Sequence, residues 1–286
     1  TMLKNIGSIE NQGYELSIES DNLTGAFSWT TAFNIAFNRN KVLELGGEEY
    51  KEMAEGDGHL KTGSVRRLIV GEPIGVFYGY RFDGIFQNEE ECKQQTSSAS
   101  PIGVGLRRYK DLNGDGKVDA ANDREILGDA NPKFFGGLTN TFAYKGFELN
   151  VFLQYSYGNK ILNYNAMELE NPTGGQNAYA DMVNRWTPEN PSNIYPKATT
   201  NRALLVSDRF IEDGSYLKLK TLSLSYSFPK INLKHIQGLR LYVTGQNLLT
   251  WTKYRGYDPE VSYRGASTLE AGEDFGGYPQ SRTFMF

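Results

Sequence analysis

Sulfur and imidazole chemistry have almost no material in this chain. Cys92 is the single cysteine, which excludes an internal disulfide and a cysteine-based zinc site. His59 and His235 are the two histidines, too few and too isolated for a histidine zinc site or a catalytic triad. No apolar run approaches roughly 18 residues, so no transmembrane helix is expected, and no N-terminal signal peptide is visible. A basic excess is missing as well. The formal net charge is −4, and Arg66-Arg67 and Arg107-Arg108 are ordinary surface content, so no nucleic-acid partner is expected. Neither a Gly-x-Ser-x-Gly elbow nor a phosphate loop occurs. Gly103-Val104-Gly105 lacks the third glycine that would open a helix and reads as a flexible loop. The 34 acidic residues give many carboxylate pairs, none in a setting that would split their pKa values. Together these absences argue against an enzyme.

Glycine and aromatics are abundant: Gly 31, Tyr 18 and Phe 16 in 286 residues, the composition of a β-rich chain with many turns. The mean hydropathy of −0.51 looks soluble. That index misleads for transmembrane barrels, where half of each strand faces a polar lumen.

The clearest stretch is Phe147–Tyr157. Phe147, Leu149, Val151, Leu153, Tyr155 and Tyr157 alternate with Glu148, Asn150, Gln154 and Ser156, and Phe152 is the exception. Such alternation is a two-faced strand, of a length that suits a tilted bilayer crossing of roughly 9–11 residues. Tyr14, Leu16 and Ile18 alternate in the same way. After a turn at Asp21–Gly25, so do Phe27, Trp29, Thr31, Phe33, Ile35 and Phe37. A long excursion follows over about 38–133, holding a local hairpin (Arg67–Val70 and Val76–Phe82) and a polar run at Gln94–Ser100. Leu138–Tyr144 and Phe147–Tyr157 make a hairpin whose Lys145-Gly146 turn fits type I′. A second long loop runs over about 159–213. Tyr216–Phe228 and Leu239–Thr250 are strands joined by Pro229–Gly238, about 252–277 is a third long loop, and Ser281–Phe286 begins a last strand.

The connections thus alternate short and long. That asymmetry is the plan of outer-membrane barrels, with short periplasmic turns and long extracellular loops. Aromatics cap the apolar faces at both ends (Phe27 and Phe37, Phe147 and Tyr157), as interfacial girdles do. The fold class is therefore all-β: an antiparallel transmembrane β-barrel segment of about seven strands with long extracellular loops. Such a number closes poorly alone, so the segment is expected to be the C-terminal part of a larger barrel. Small lumen-facing residues (Ser28, Ala32, Ala36, Ser223, Ser225, Ser227) leave room for a plug. The alternative is a soluble or surface-attached β-rich, calcium-stabilised carbohydrate-binding module. A barrel needs Trp29, Phe33, Leu149, Leu153 and Leu224 facing lipid, whereas a module buries them.

Several stretches, in order, resemble the C-terminal third of SusC/RagA-type TonB-dependent outer-membrane transporters. They are Asn11–Leu16, Trp29–Asn34, Asn38–Val42, Gly71–Gly75, Tyr80–Gln87 and Tyr109–Gly116. Trp186-Thr187-Pro188-Glu189-Asn190-Pro191, Glu212–Leu217, Gln246–Thr250, Tyr257–Val261 and Tyr278–Arg282 complete the set. The resemblance implies a ~22-stranded barrel closed by an N-terminal plug. It also implies a SusD-like surface lipoprotein as lid, TonB–ExbB–ExbD as energy source, and import of glycans or peptides across the outer membrane of a Bacteroidetes-type bacterium. Plug, TonB box and signal peptide are absent from this sequence, and the family's closing strand usually runs beyond the equivalent of Phe286.

One stretch has ligand spacing. Asp111, Asn113 and Asp115 match positions 1, 3 and 5 of an EF-hand loop, Gly116 position 6, the Lys117 carbonyl position 7 and Asp119 position 9. Position 12 is Asn122, and Asp123 comes one residue late. Either Ala120-Ala121 bulges so that Asp123 reaches the ion, or the loop is a degenerate, metal-free Asx turn. The expected cofactor is structural Ca²⁺. Among the loop aromatics, Trp186 and Tyr195 are named as substrate contacts, with local packing as the plain alternative for each.

Overall fold

The computed structural model describes residues 7–53, 56, 60, 62–171, 177–199, 204–228, 238–260, 263–265, 267 and 269–286. His59, His235, Val261 and the connection over 229–237 lie outside the described residues. Seven strands form one antiparallel sheet in chain order: β1 (Gly7–Leu23), β2 (Phe27–Leu45), β3 (Phe134–Tyr144), β4 (Phe147–Tyr157), β5 (Tyr216–Phe228), β6 (Leu239–Thr252) and β7 (Thr283–Met285).

The register carries the alternation across strands. Trp29 pairs with Phe142, Phe142 with Leu149, Leu149 with Leu224 and Leu224 with Val243. One level on, Phe33 pairs with Leu138 and Leu138 with Leu153. Every such row faces the same way, and a one-residue slip would turn all of them over, so the pattern fixes the register. Among the described residues, this outer face has no second layer. Leu224 is 50% exposed and Trp251 51%, while Trp29, Phe33, Leu149 and Leu153 are half-buried only by their neighbours in the sheet. Aromatics gather at its two ends. Phe27, Trp29, Phe142 and Tyr144 cluster near the short turns, and Phe37, Phe134, Tyr155 and Tyr157 near the long loops.

The hairpin turn is as expected. Lys145 (φ 47°) and Gly146 (φ 88°) both lie at positive φ, which type I′ requires. Phe152, the exception to the alternation, shares the inner face with Gln154. A side chain at Gly137 would meet its ring at 2.8 Å, so the bulk on β4 is accommodated by a glycine on β3.

Three expectations are corrected. β1 and β2 stay paired well past Phe37, from Gly13↔Asn38 to Gly7↔Leu45, so the first long loop begins after Leu45 rather than at Asn38. The alternation fades there because both faces have left the apolar band, but the ladder persists. β3 begins at Phe134, not Leu138, since Gly136-Gly137 interrupt the pattern without ending the strand. The long loops also hold two short helices not foreseen: α1 (Glu89–Gln94), capped by Asn88, and α2 (Tyr164–Leu169), capped by Asn163. At six residues apiece such turns show no helical periodicity, and the side-chain caps nucleate them.

Among the described residues, the buried apolar side chains lie almost wholly outside the seven strands; Val42 and Leu45, in the extension of β2, are the exceptions. The main cluster is Leu60, Val65, Phe77, Leu127, Leu162, Tyr164, Met167, Leu204, Val206 and Phe210. It joins a four-stranded sheet of the first loop (50–52, 66–69, 76–79, 125–128) to a three-stranded one (160–163, 211–213, 273–274). The latter pairs the second loop with the third, so the three long loops form one packed mass.

Candidate functional site

The inner face of the sheet is polar and small. Asn150 donates to Thr141 at 2.9 Å, Ser223 and Thr244 share a hydrogen bond of 2.7 Å, and Arg240 reaches Glu148 at 2.6 Å. Lys218 stands on this face between the outward Leu217 and Leu219, and is only 2% exposed. A bulge between Leu219 and Thr221 places Lys220 beside it.

The third loop folds down onto these lysines. Lys218 Nζ donates to Asp258 Oδ1 (2.6 Å) and Glu260 Oε2 (2.5 Å), and Lys220 Nζ reaches the same Glu260 oxygen at 3.1 Å. Gln154 and Tyr216 both donate to Glu260 Oε1 at 3.1 Å. Burial on its own would raise the pKa of both carboxyls, but the lysine hydrogen bonds outweigh it and hold them below the usual range. This clamp was missed by sequence reasoning. Its signal was present: paired lysines in a strand whose other polar residues are uncharged (Thr221, Ser223, Ser225, Ser227) need a partner, and Tyr257-Asp258-Pro259-Glu260 supplies one.

Higher up, charged pairs stitch the loops together. Glu170, fully buried, accepts from Arg209 (2.8 Å) and Arg255 (3.0 Å). Arg66, 1% exposed, donates Nε to Glu273 at 2.8 Å, Nη1 to the Gly75 carbonyl at 2.5 Å and Nη2 to the Ala271 carbonyl. Burial lowers the Arg66 pKa, and Glu273 opposes that.

The stretches that carried the resemblance prove to be contact pairs. Val42 and Gly71-Glu72 exchange main-chain hydrogen bonds, and Asn40 Oδ1 accepts from Ile74 N. Trp186 Nε1 donates to Gln87 Oε1, which docks Tyr80–Gln87 on the Trp-Thr-Pro-Glu-Asn-Pro segment, and Ile85 N donates to Asn193 Oδ1 two residues past its end. Asn247 adopts φ 53°, and its amide donates to the Ser281 carbonyl.

The Asp111–Asp123 loop is a ring of Asx turns. Asp111 accepts from Gly114 N and Gly116 N (both 2.7 Å), and Asp115 accepts from Lys117 N (2.8 Å). Asp119 accepts from Ala121 N and Asn122 N (both 3.0 Å). Asp123, fully buried, draws the ends together by accepting from Leu112 N (2.8 Å) and Asp119 N (2.7 Å). The donor set, all hard oxygen, suits Ca²⁺ in kind, and a carboxylate oxygen that accepts one amide keeps a second lone pair. Among the described residues, no three acidic, histidine or cysteine side chains converge as a metal cluster.

Trp186 and Tyr195 are brought together, since Trp186 N donates to the Tyr195 carbonyl at 3.0 Å. Their surroundings differ. Trp186 is 9% exposed, with its ring against Gly105, where a side chain would meet it at 2.6 Å. Tyr195 is half-buried, with its hydroxyl on Asp181 and Arg209 over its ring at 5.2 Å.

No family model matches the chain. It is 40% identical, over 99% of its length, to TonB-dependent receptor P3 of Formosa agariphila, and covers 29% of that protein. With TonB-dependent receptor SusC of Bacteroides thetaiotaomicron the identity is 28%, over 99% of this chain and 26% of that one. A solved structure of the RagAB peptide transporter superposes with a TM-score of 0.77 at 24% identity, over 98% of this chain and 29% of that chain. The chain belongs to the SusC/RagA family of TonB-dependent receptors. Its seven-stranded sheet is part of a SusC-like barrel wall, and it spans under a third of the length of these relatives. The carbohydrate-module alternative is not favoured. Its apolar face would have to be covered, and here the cover lies on the opposite, polar side.

Proposed function

We propose that this chain is wall and extracellular loops of an outer-membrane importer. The complete protein would take up glycans or peptides with energy from TonB–ExbB–ExbD, under a SusD-like surface lipoprotein. The observation that carries this reading is the inverted sheet: apolar side chains exposed on one face, and a buried lysine clamp holding a long loop on the other. An apolar face without cover is costly in water and favourable in lipid, while a polar inner face suits a passage. No bond chemistry is asked of the chain. Its part in transport is to form a lumen and to hold loops across it.

The test is fractionation of the host with an antibody to the 159–213 loop, then electrophoresis of unheated and heated membranes. Outer-membrane recovery, in a band well above 32.1 kDa whose mobility shifts on heating, is expected. Recovery in a soluble fraction at that size would overturn the reading.

Two finer assignments belong to the same proposal. Ca²⁺ would sit in the Asp111–Asp123 loop as a structural ion, with Asp111, Asn113, Asp115, the Lys117 carbonyl, Asp119 and Asp123 as ligands. Donor type and spacing support it. Calorimetry should show a Ca²⁺ isotherm that Asp115→Ala abolishes, and no heat in the parent protein would remove the site. Of the two aromatics, the half-buried Tyr195 would be the one to meet substrate, with the buried Trp186 tied to it through the main chain. Tyr195→Ala should then weaken uptake more than Tyr195→Phe.

A further inference from the structure

We propose that the outer surface of the wall carries a seat for a lipid with a phosphate headgroup, over β4, β5 and β6 at their loop end. The inference rests on the membrane-wall reading above. A shallow groove of about 610 Å³ lies there, lined by Tyr155, Tyr157, Leu217 and Trp251, with Asp213 and Lys253 at its rim. Tyr155, Leu217 and Trp251 form one row across the three strands, on the face opposite Lys218. Leu217 is the low floor between two large rings. Tyr155 is laid along the sheet, donating its hydroxyl to the Asn34 carbonyl at 2.8 Å. Such a trough, apolar below and wet above, fits an acyl chain whose head stays at the interface.

The charge at the rim selects the head. Lys253 comes two residues after Trp251, where the apolar face ends, and is exposed. The nearby Asp213 carboxylate accepts from Ser215 N (3.1 Å) and Ser215 Oγ (2.6 Å). Both Lys160 and Lys253 are close enough to act on that one acid, so positive charge is in excess. Arg39 stands beyond Phe37 on β2, opposite the neutral Gln12, and Lys133 precedes Phe134, continuing a cationic collar just past the aromatic girdle; Lys41, further on, is matched by Glu10 across the ladder. A phosphomonoester carries about −1.5 to −2 charge near neutral pH, and lysine binds it as a point charge. A zwitterionic or uncharged head offers this collar no net complement. The groove lies inside the sheet, over β4, β5 and β6, so further wall strands added beyond β1 and β7 leave it open.

The complete transporter carrying this segment would be placed in phosphatidylcholine nanodiscs with either phosphatidic acid or diacylglycerol of the same chains. The temperature of its heat-modifiable transition would then be measured. Phosphatidic acid should raise it by on the order of 2–4 °C, and diacylglycerol should not. Lys253→Gln should remove most of the rise and Trp251→Ala about half, whereas Leu241→Ala, on the same face at the turn end, should leave it intact. An equal rise with both lipids, or an undiminished rise in Lys253→Gln, would overturn the seat while leaving the wall. Failure to insert into phosphatidylcholine at all would overturn the wall reading, and the seat with it.

Discussion

In the wall, Leu224 and Trp251 stand half exposed while Lys218 is buried; in the loop mass, Phe77, Leu162 and Phe210 are fully buried. The loops are organised as a water-soluble domain is, with an apolar cluster and buried ion pairs such as Arg66–Glu273 and Arg209–Glu170. The wall has no such cluster. It holds together by its ladder and by rows of side chains that need an apolar solvent outside. The difference teaches that one chain can carry two folding logics, and each should fail under a different insult.

The sharpest way to break the comparison is the Arg66–Glu273 pair. Arg66→Met strips Glu273 of its closest cation and leaves Arg264, at 3.5 Å, as a weaker one. Breaking a buried pair from one side costs roughly 3–5 kcal/mol. The expected result is protease nicking in the loops with the heat-modifiable band retained. Loss of that band as well would mean that loops and wall unfold as one unit.

Leu153→Arg tests the wall from outside. A cation at the middle of the lipid face costs roughly 2–4 kcal/mol, whereas Ala32→Arg on the inner face should be tolerated. Urea unfolding of both variants in bilayers gives the answer, and equal losses would mean that the faces are wrongly assigned. Smaller still is Gly146→Val. A Cβ at φ 88° would stand 2.7 Å from the Ser227 carbonyl, and left-handed backbone costs a non-glycine residue about 1–2 kcal/mol. The loss should appear in wall refolding, with loop proteolysis unchanged.

The two regions also differed in what their sequence disclosed. Period-two alternation announced the wall strands, their faces and the Lys145-Gly146 turn, because burial by lipid on one side imposes one simple rule. Strand ends were less legible: the β1–β2 ladder outlasts its apolar pattern, and Gly136-Gly137 hide the start of β3. In the loops, periodicity says nothing. The resemblance stretches pointed to the right residues without saying why, and the reason is pairwise: Asn40 serves Ile74, Gln87 serves Trp186, and Asp258 serves Lys218. Partners tens of residues or more apart are invisible to local pattern, so the Arg66–Glu273 pair could not be assembled from the sequence, and the clamp showed only as paired lysines in need of an acid.

The lysine clamp joins the two regions, and pH should loosen it by the smallest effect of the series. Asp258 and Glu260 have folded pKa values lowered by Lys218 and, for Glu260, also by Lys220, against a burial effect of opposite sign. A lowered carboxyl pKa contributes stability that is present above the unfolded value, about 4, and is lost as pH falls through the folded one. Protection from hydrogen exchange over 252–260, taken relative to the intrinsic amide rate at each pH, should therefore hold from neutral pH to about 5 and fall only below about 4, with β3 and β4 unmoved. Lys218→Met gives the converse. With that cation gone, burial acts on Asp258 without its lysine hydrogen bond, its pKa should rise, and loosening should begin at higher pH than in the parent. An unchanged onset in Lys218→Met would mean that the third loop is held by packing alone, and the ionic link between wall and loops would fall.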